Sequence, residues 1–217
     1  MTEKRPVGVL ISGSGTNLQA LIDACEDPSY PARIAVVISN KRSAKGLERA
    51  EKAGIEAVWL PARPHPSREA HETAITEVLQ RHKVQWVVCA GYMRVLSPAF
   101  IRDWPNRILN IHPSLLPAFP GIDAQGQAHA SGVRISGATV HLVDEGCDTG
   151  PILAQGATAV LEGDDRDALQ QRILKIEHVL YPQVLRWAVE GRIRLEDGQL
   201  SLRLESDQSR FLWMDPK

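Results

Sequence analysis

The chain has 217 residues, 43% of them hydrophobic and 24% charged, a balance that fits one soluble globular domain with a sizeable core. Its 25 basic and 26 acidic residues leave a formal charge of -1 with no block of like sign, so neither a nucleic-acid footprint nor a polybasic membrane patch is expected. The N-terminal apolar run is too short for a signal sequence, no stretch approaches the roughly 20 apolar residues of a membrane span, and Cys25, Cys89 and Cys147 show no metal or CxxC spacing, so a cytoplasmic protein with reduced thiols is expected.

VGVLIS (7–12) is a continuous apolar run ended by Gly13, the pattern of a strand buried on both faces. LQALIDAC (18–25) has helical spacing, IAVVIS (34–39) is a second buried strand, and KGLERAEKAG (45–54) is a short helix stopped by Gly54. AVWL (57–60) is a third strand, and Ser67 opens a helix running to about His82. WVVCA (86–90) and ILNI (108–111) are the fourth and fifth strands. ATVHLV (138–143) and PILAQGATAV (151–160) read as a hairpin-like pair around DEGCDTG.

The longest helix is predicted from about Arg166 to Glu190. Leu169, Ile173, Ile176, Leu180, Val184 and Trp187 fall at spacings of three or four and form one apolar stripe. IRLEDGQLSLRL is expected to form a small hairpin turning at Asp197-Gly198, followed by a loose tail. Strands alternating with helices predict an α/β fold: a Rossmann-like, mostly parallel mixed sheet with helices on both faces. The expected organisation is one domain over residues 1–192, with 193–217 as a hairpin and tail packed on it or trailing from it.

Three stretches offer chemistry. GSGTN (13–17) joins the first strand to the first helix, where glycines and free helix N–H groups can hold a phosphate. It is equally readable as a tight turn with Thr16 or Asn17 as N-cap. No Gly-Lys-Ser/Thr follows and Leu18 stands where GxGxxG needs its third glycine, so one phosphate fits better than a dinucleotide.

NIHPS (110–114) ends a strand, and alternation puts Asn110 and His112 on one face. They could simply cap the strand, or serve as an amide donor to an oxyanion and a proton donor. DEGCDTGP (144–151) could be a solvated turn. Were Asp148 to fold back beside His112, its charge would stabilise the imidazolium. Cys147 lies between acidic neighbours that disfavour a thiolate nucleophile, and no histidine pattern suits a metal.

The stretches LISGSGTNLQALIDAC, VVISNK, GLERAEKAGI, SREAHE, GYMRVLSPAFI, ILNIHPSLLPAFPG, SGATVHLVDEGCDTGPIL and IEHVLYPQV resemble, in order, the glycinamide ribonucleotide formyltransferases of purine biosynthesis. The resemblance implies a folate-dependent enzyme that moves the formyl group of 10-formyltetrahydrofolate, as co-substrate, to the amine of glycinamide ribonucleotide. It implies no metal, no nucleic acid or membrane partner, and a monomer or homodimer.

By motif it implies catalysis by Asn110, His112 and Asp148, and phosphate binding by the backbone of Gly15, Thr16 and Asn17. It further implies folate contacts from Arg68, Met93, Arg94, Val95, Leu96 and Asn110, with Glu177 meeting the glycinamide or ribose end. Read on their own, Met93 and Leu96 would be core, Arg68 a solvated first-turn residue, and Glu177 a carboxylate beside an apolar stripe that needs a partner or a cleft. The likeness departs at Asp123, where relatives commonly have histidine.

A 10-formyltetrahydrofolate hydrolase would use the same trio with water in place of the amine. Its usual N-terminal domain is not expected before a strand at Val7. A tRNA formyltransferase would need more than the 27 residues after Glu190. A non-enzymatic nucleotide-binding module would leave the trio unexplained.

Overall fold

A computed structural model describes residues 3–196, 199–205 and 209–214. In chain order it contains β1 (Arg5–Ile11), α1 (Thr16–Glu26), β2 (Ala32–Ser39), α2 (Lys45–Lys52), β3 (Ala57–Trp59), α3 (Arg68–Arg81), β4 (Trp86–Cys89), α4 (Pro98–Asp103) and β5 (Ile108–His112). There follow α5 (Ala124–Ser131), β6 (Ile135–Leu142), β7 (Ile152–Ala159), α6 (Arg166–Val189), β8 (Ile193–Glu196), β9 (Gln199–Leu202) and β10 (Phe211–Trp213).

The main sheet runs β10-β7-β6-β5-β4-β1-β2-β3. Pairing is parallel from β3 through β5 and between β7 and β10, and antiparallel for β5 with β6 and β6 with β7. The mixed, mostly parallel sheet expected from the alternation is therefore present. The chain leaves β1 toward β2 and β3, then returns to β4 on the other side of β1. That reversal makes a topological switch point between β1 and β4, and the loops at the carboxyl ends of such strands flank a crevice.

Helices cover both faces, as alternation within β1 dictates. Val7, Val9 and Ile11 pack in one cluster with Leu18 and Leu21 of α1 and Leu180, Val184 and Trp187 of α6. Leu10 turns the other way, toward Ile75 and Leu79 of α3 and Phe100 of α4. The predicted stripe of α6 is buried throughout, from Leu169 to Trp187. At about 1.5–3 kcal/mol for each large side chain removed from water, this stripe is a major anchor of the fold.

Two elements differ from the sequence reading. Residues 124–131 form α5 although AQGQAHAS has no apolar period; Ala128 is buried against the α6 residues Leu169 and Ile173 in a small separate cluster, so tertiary contact supplies what propensity does not. The expected loose tail is instead β10, added in parallel to the open edge of β7, with Arg210 donating to the carbonyls of Ile152 and Leu153 at 2.6 and 2.8 Å. Between them, β8 and β9 form the expected antiparallel pair, and Ile193, Leu195, Leu200 and Leu202 pack on the α1–α6 side of the core. The turn expected at Asp197-Gly198 lies outside the described residues.

Candidate active site

Both sides of the switch point end in polar loops. After β1, GSGTN turns directly into α1. The N-cap is Gly15 rather than Thr16 or Asn17, with left-handed backbone (φ 70) and no side-chain cap. Glycine is needed there twice over, because a Cβ would lie 2.6 Å from the Gly46 Cα as well as requiring positive φ. With no capping side chain and no acidic residue in the first turn, the first N–H groups of α1 are left for an external acceptor.

Asn17 turns its amide sideways and donates from Nδ2 to Glu177 Oε2 at 2.6 Å, while its Oδ1 is buried without a partner. Burial pushes the Glu177 carboxyl up to about 7, against the opposing pull of that hydrogen bond. The carboxylate beside the α6 stripe thus has the hydrogen-bond partner that its placement called for.

After β4, the chain runs through Met93 to Leu96 before α4. The Met93 amide donates to Ser12 Oγ at 2.9 Å, tying this loop to the end of β1. From α3, Glu72 accepts from the Ser97 amide at 3.0 Å and from the Ser97 hydroxyl, and His71 Nε2 reaches Leu60 O at 2.9 Å. Met93, Arg94 and Val95 are exposed, so Met93 is not core as its residue type implied; Leu96 is buried among α3 and α4 residues. Arg68 stands at the first turn of α3, exposed, with Nε 3.6 Å from Glu69 Oε1. The folate candidates are thus neighbouring segments at one edge, with Leu96 facing inward.

At the end of β5, alternation places Asn110 and His112 together, opposite His141 and Thr139 of β6. Asn110 Nδ2 lies 3.1 Å from His141 Nε2, and His141 Nδ1 lies 2.8 Å from Leu142 O. A carbonyl only accepts, so His141 carries its hydrogen on Nδ1 and receives Asn110 on Nε2. Burial holds His141 below the ordinary histidine range, consistent with this neutral ring.

Asp148 does fold back onto β5. Its left-handed backbone (φ 56) brings the carboxylate to 3.3 Å from His112 Nδ1 through Oδ2, and to 3.5 Å from Asn110 Nδ2 through Oδ1. The Gly121 amide also donates to Oδ2 at 2.8 Å. His112 Nε2 meets Phe119 O at 2.8 Å. Because that carbonyl can only accept, Nε2 carries a hydrogen, and Nδ1 is the nitrogen that faces Asp148.

The sequence reading missed His141, the Phe119 carbonyl and the Gly121 amide. The period-two pattern of ATVHLV put His141 and Thr139 on one face, but only the register of β6 on β5 puts His141 opposite Asn110. Cys147, exposed beside Asp148, has its thiol pushed up by burial first and then by that neighbouring charge. Asp123, at the departure from the resemblance, pairs with Arg166 Nε at 2.7 Å.

Among the described residues no group of three or more His, Cys, Asp and Glu is arranged to hold a metal, and no helix is long and apolar enough to cross a membrane. Two surface recesses of about 440 and 340 Å³ flank α1 on the side of Arg49 rather than opening over His112.

Residues 5–185 match the family described as formyl transferase. The phosphoribosylglycinamide formyltransferase of Escherichia coli (strain K12) is 42% identical over 190 residues, 88% of this chain and 90% of that protein. The trifunctional purine biosynthetic protein adenosine-3 of Drosophila pseudoobscura pseudoobscura is 48% identical over 193 residues, 88% of this chain; the chain spans only 14% of that longer relative. The crystal structure of glycinamide ribonucleotide transformylase 1 from Symbiobacterium toebii is 50% identical, with a TM-score of 0.89 over 92% of this chain and 94% of that one.

Proposed function

The chain belongs to the formyl transferase family, and on that premise we propose that it carries the formyl group of 10-formyltetrahydrofolate to the amine of glycinamide ribonucleotide, a step of de novo purine biosynthesis. The observation that carries this reading is the joined cluster of Asn110, His112 and Asp148, assembled from two segments at one edge of the sheet. It supplies a proton donor, an amide donor and a fixed counter-charge without a protein nucleophile or a metal ligand set.

In this reading the phosphate sits on the N–H groups of Gly15, Thr16 and Asn17, and Glu177 meets the ribose or glycinamide. The pterin lies along Met93 to Leu96, with Arg68 nearby. Holding amine and formyl donor together removes much of the entropic barrier.

The amine nitrogen attacks the formyl carbon, and the former carbonyl oxygen becomes an oxyanion. His112 Nδ1–H protonates or hydrogen-bonds that oxygen while Asp148 sustains the charged ring. The second N–H of Asn110 is held only loosely at 3.5 Å by Asp148, and so is the one available to the oxyanion. The proton lost from the attacking nitrogen is passed to N10, by way of Asp148 and water, as the carbon–N10 bond breaks; the oxygen proton returns to His112 as the carbonyl re-forms, and tetrahydrofolate and the formamide are released.

The test follows tetrahydrofolate release with and without glycinamide ribonucleotide. Release that depends on the amine, with formylated ribonucleotide as product, supports the reading. Equal release without it identifies a hydrolase using the same cluster and overturns the reading.

A further inference from the structure

We propose that Arg49, in the second turn of α2, is a positioning residue that sets the affinity for the substrate's phosphate by holding the Ser14 carbonyl away from it. This rests on the phosphate reading of the glycine loop. The key contact is from Arg49 Nε to Ser14 O, 2.9 Å long. A peptide unit is planar and trans, so its C=O and N–H point in opposite directions. Drawing Ser14 O toward α2 therefore aims the Gly15 N–H away from α2.

Without this restraint the Ser14–Gly15 peptide is free to turn over. Glycine accepts either backbone sign, so the chain itself does not resist a flip. The flipped plane would present a carbonyl oxygen where the anion needs a donor, exchanging attraction for repulsion.

The neighbouring groups are arranged consistently. Gly13 O accepts from the Gly46 amide at 3.2 Å, and Gly15 O accepts from the Gln19 amide at 2.9 Å. Three successive loop carbonyls are thus engaged by α1 and α2. The guanidinium is itself braced: Arg49 Nη1 donates to Gln19 Oε1 at 3.1 Å, and Gln19 Nε2 donates to Asp23 Oδ1 at 2.7 Å. Close packing of Gly15 on Gly46 leaves α2 near enough for Arg49 to reach the loop.

The experiment compares the full chain carrying Arg49→Met, Arg49→Lys or Gln19→Leu with wild type, using glycinamide ribonucleotide and its dephosphorylated riboside. Arg49→Met is expected to raise the KM for the ribonucleotide about tenfold, with kcat, the KM for the formyl donor and the KM for the riboside within about twofold. The inhibition constant of inorganic phosphate should rise by the same factor. Arg49→Lys, which retains a donor, should recover part of the loss, and Gln19→Leu should show a smaller shift in the same direction.

Equal KM increases for both substrates, or a fall in kcat alone, would overturn the proposal. Should Arg49→Met fail to fold, the ratio of kcat/KM for the two substrates in Gln19→Leu still decides, since an unchanged ratio contradicts the brace. If wild type itself does not distinguish ribonucleotide from riboside, the phosphate reading of the loop fails. If wild type does distinguish them and Arg49→Met does so equally, the inference about Arg49 alone fails.

Discussion

The glycine loop after β1 and the polar cluster at the end of β5 stand on the same edge of one sheet, yet they are built by opposite means. The loop works through backbone: a left-handed Gly15, carbonyls tied back to α1 and α2, and the uncapped start of a helix. The cluster works through side chains, with Asn110, His112, His141 and Asp148 drawn from β5, β6 and the following loop. The loop is therefore intolerant of added atoms, and the cluster is intolerant of lost ones. Binding of a constant anion suits fixed backbone, whereas proton movement needs groups that ionise.

The largest effect should come from the side-chain end. His112→Ala is expected to lower kcat about a thousandfold, with KM for both substrates changed by less than about threefold, as measured by steady-state turnover. A rise in KM without loss of kcat would erase the distinction between the two regions.

The next effect is in stability, at Glu177 behind the loop. Its carboxyl is raised to about 7 by burial, so the folded state holds the proton more tightly than the unfolded chain. The resulting stabilisation is complete below the ordinary glutamate range and is lost as pH rises through about 7, on the order of 3 kcal/mol in all. Urea midpoints should fall for wild type between pH 5 and pH 8, and Glu177→Gln should flatten that decline by roughly this amount.

A smaller effect is expected from Gly15→Ala. The added Cβ meets the Gly46 backbone and the residue must keep positive φ, so about 1–2 kcal/mol of stability should be lost. The KM for the ribonucleotide should rise roughly tenfold while kcat holds, the reverse of His112→Ala.

These two regions also differ in how far the amino-acid sequence reveals them. GSGTN and NIHPS are local: a strand period, a breaker and the next residues place their groups at the sheet edge. Asp148 could be named as a candidate from its residue type, but its approach to His112 depends on a left-handed residue and on how DEGCDTG folds back, which no local pattern reports. The pairing of Asn17 with Glu177 spans 160 positions, and no periodicity encodes it.

His141 was invisible for a different reason. The strand was predicted, but the register that sets it against Asn110 belongs to the pairing of two strands rather than to either one. β10 and α5 depend in the same way on an open sheet edge and on the side of α6, which local spacing does not report. Met93 is hydrophobic by type, and only the position of the β4 loop exposes it.

The central claim is that NIHPS and DEGCDTG are two halves of one site, with Asp148 acting through His112. A double-mutant cycle on kcat for formyl transfer, with His112→Ala, Asp148→Asn and the pair, measures it directly. Each single change should cost at least about a hundredfold, and Asp148→Asn should cost less than about threefold more once His112 is gone. Costs that multiply in the double variant would mean the two residues act independently and would contradict the account.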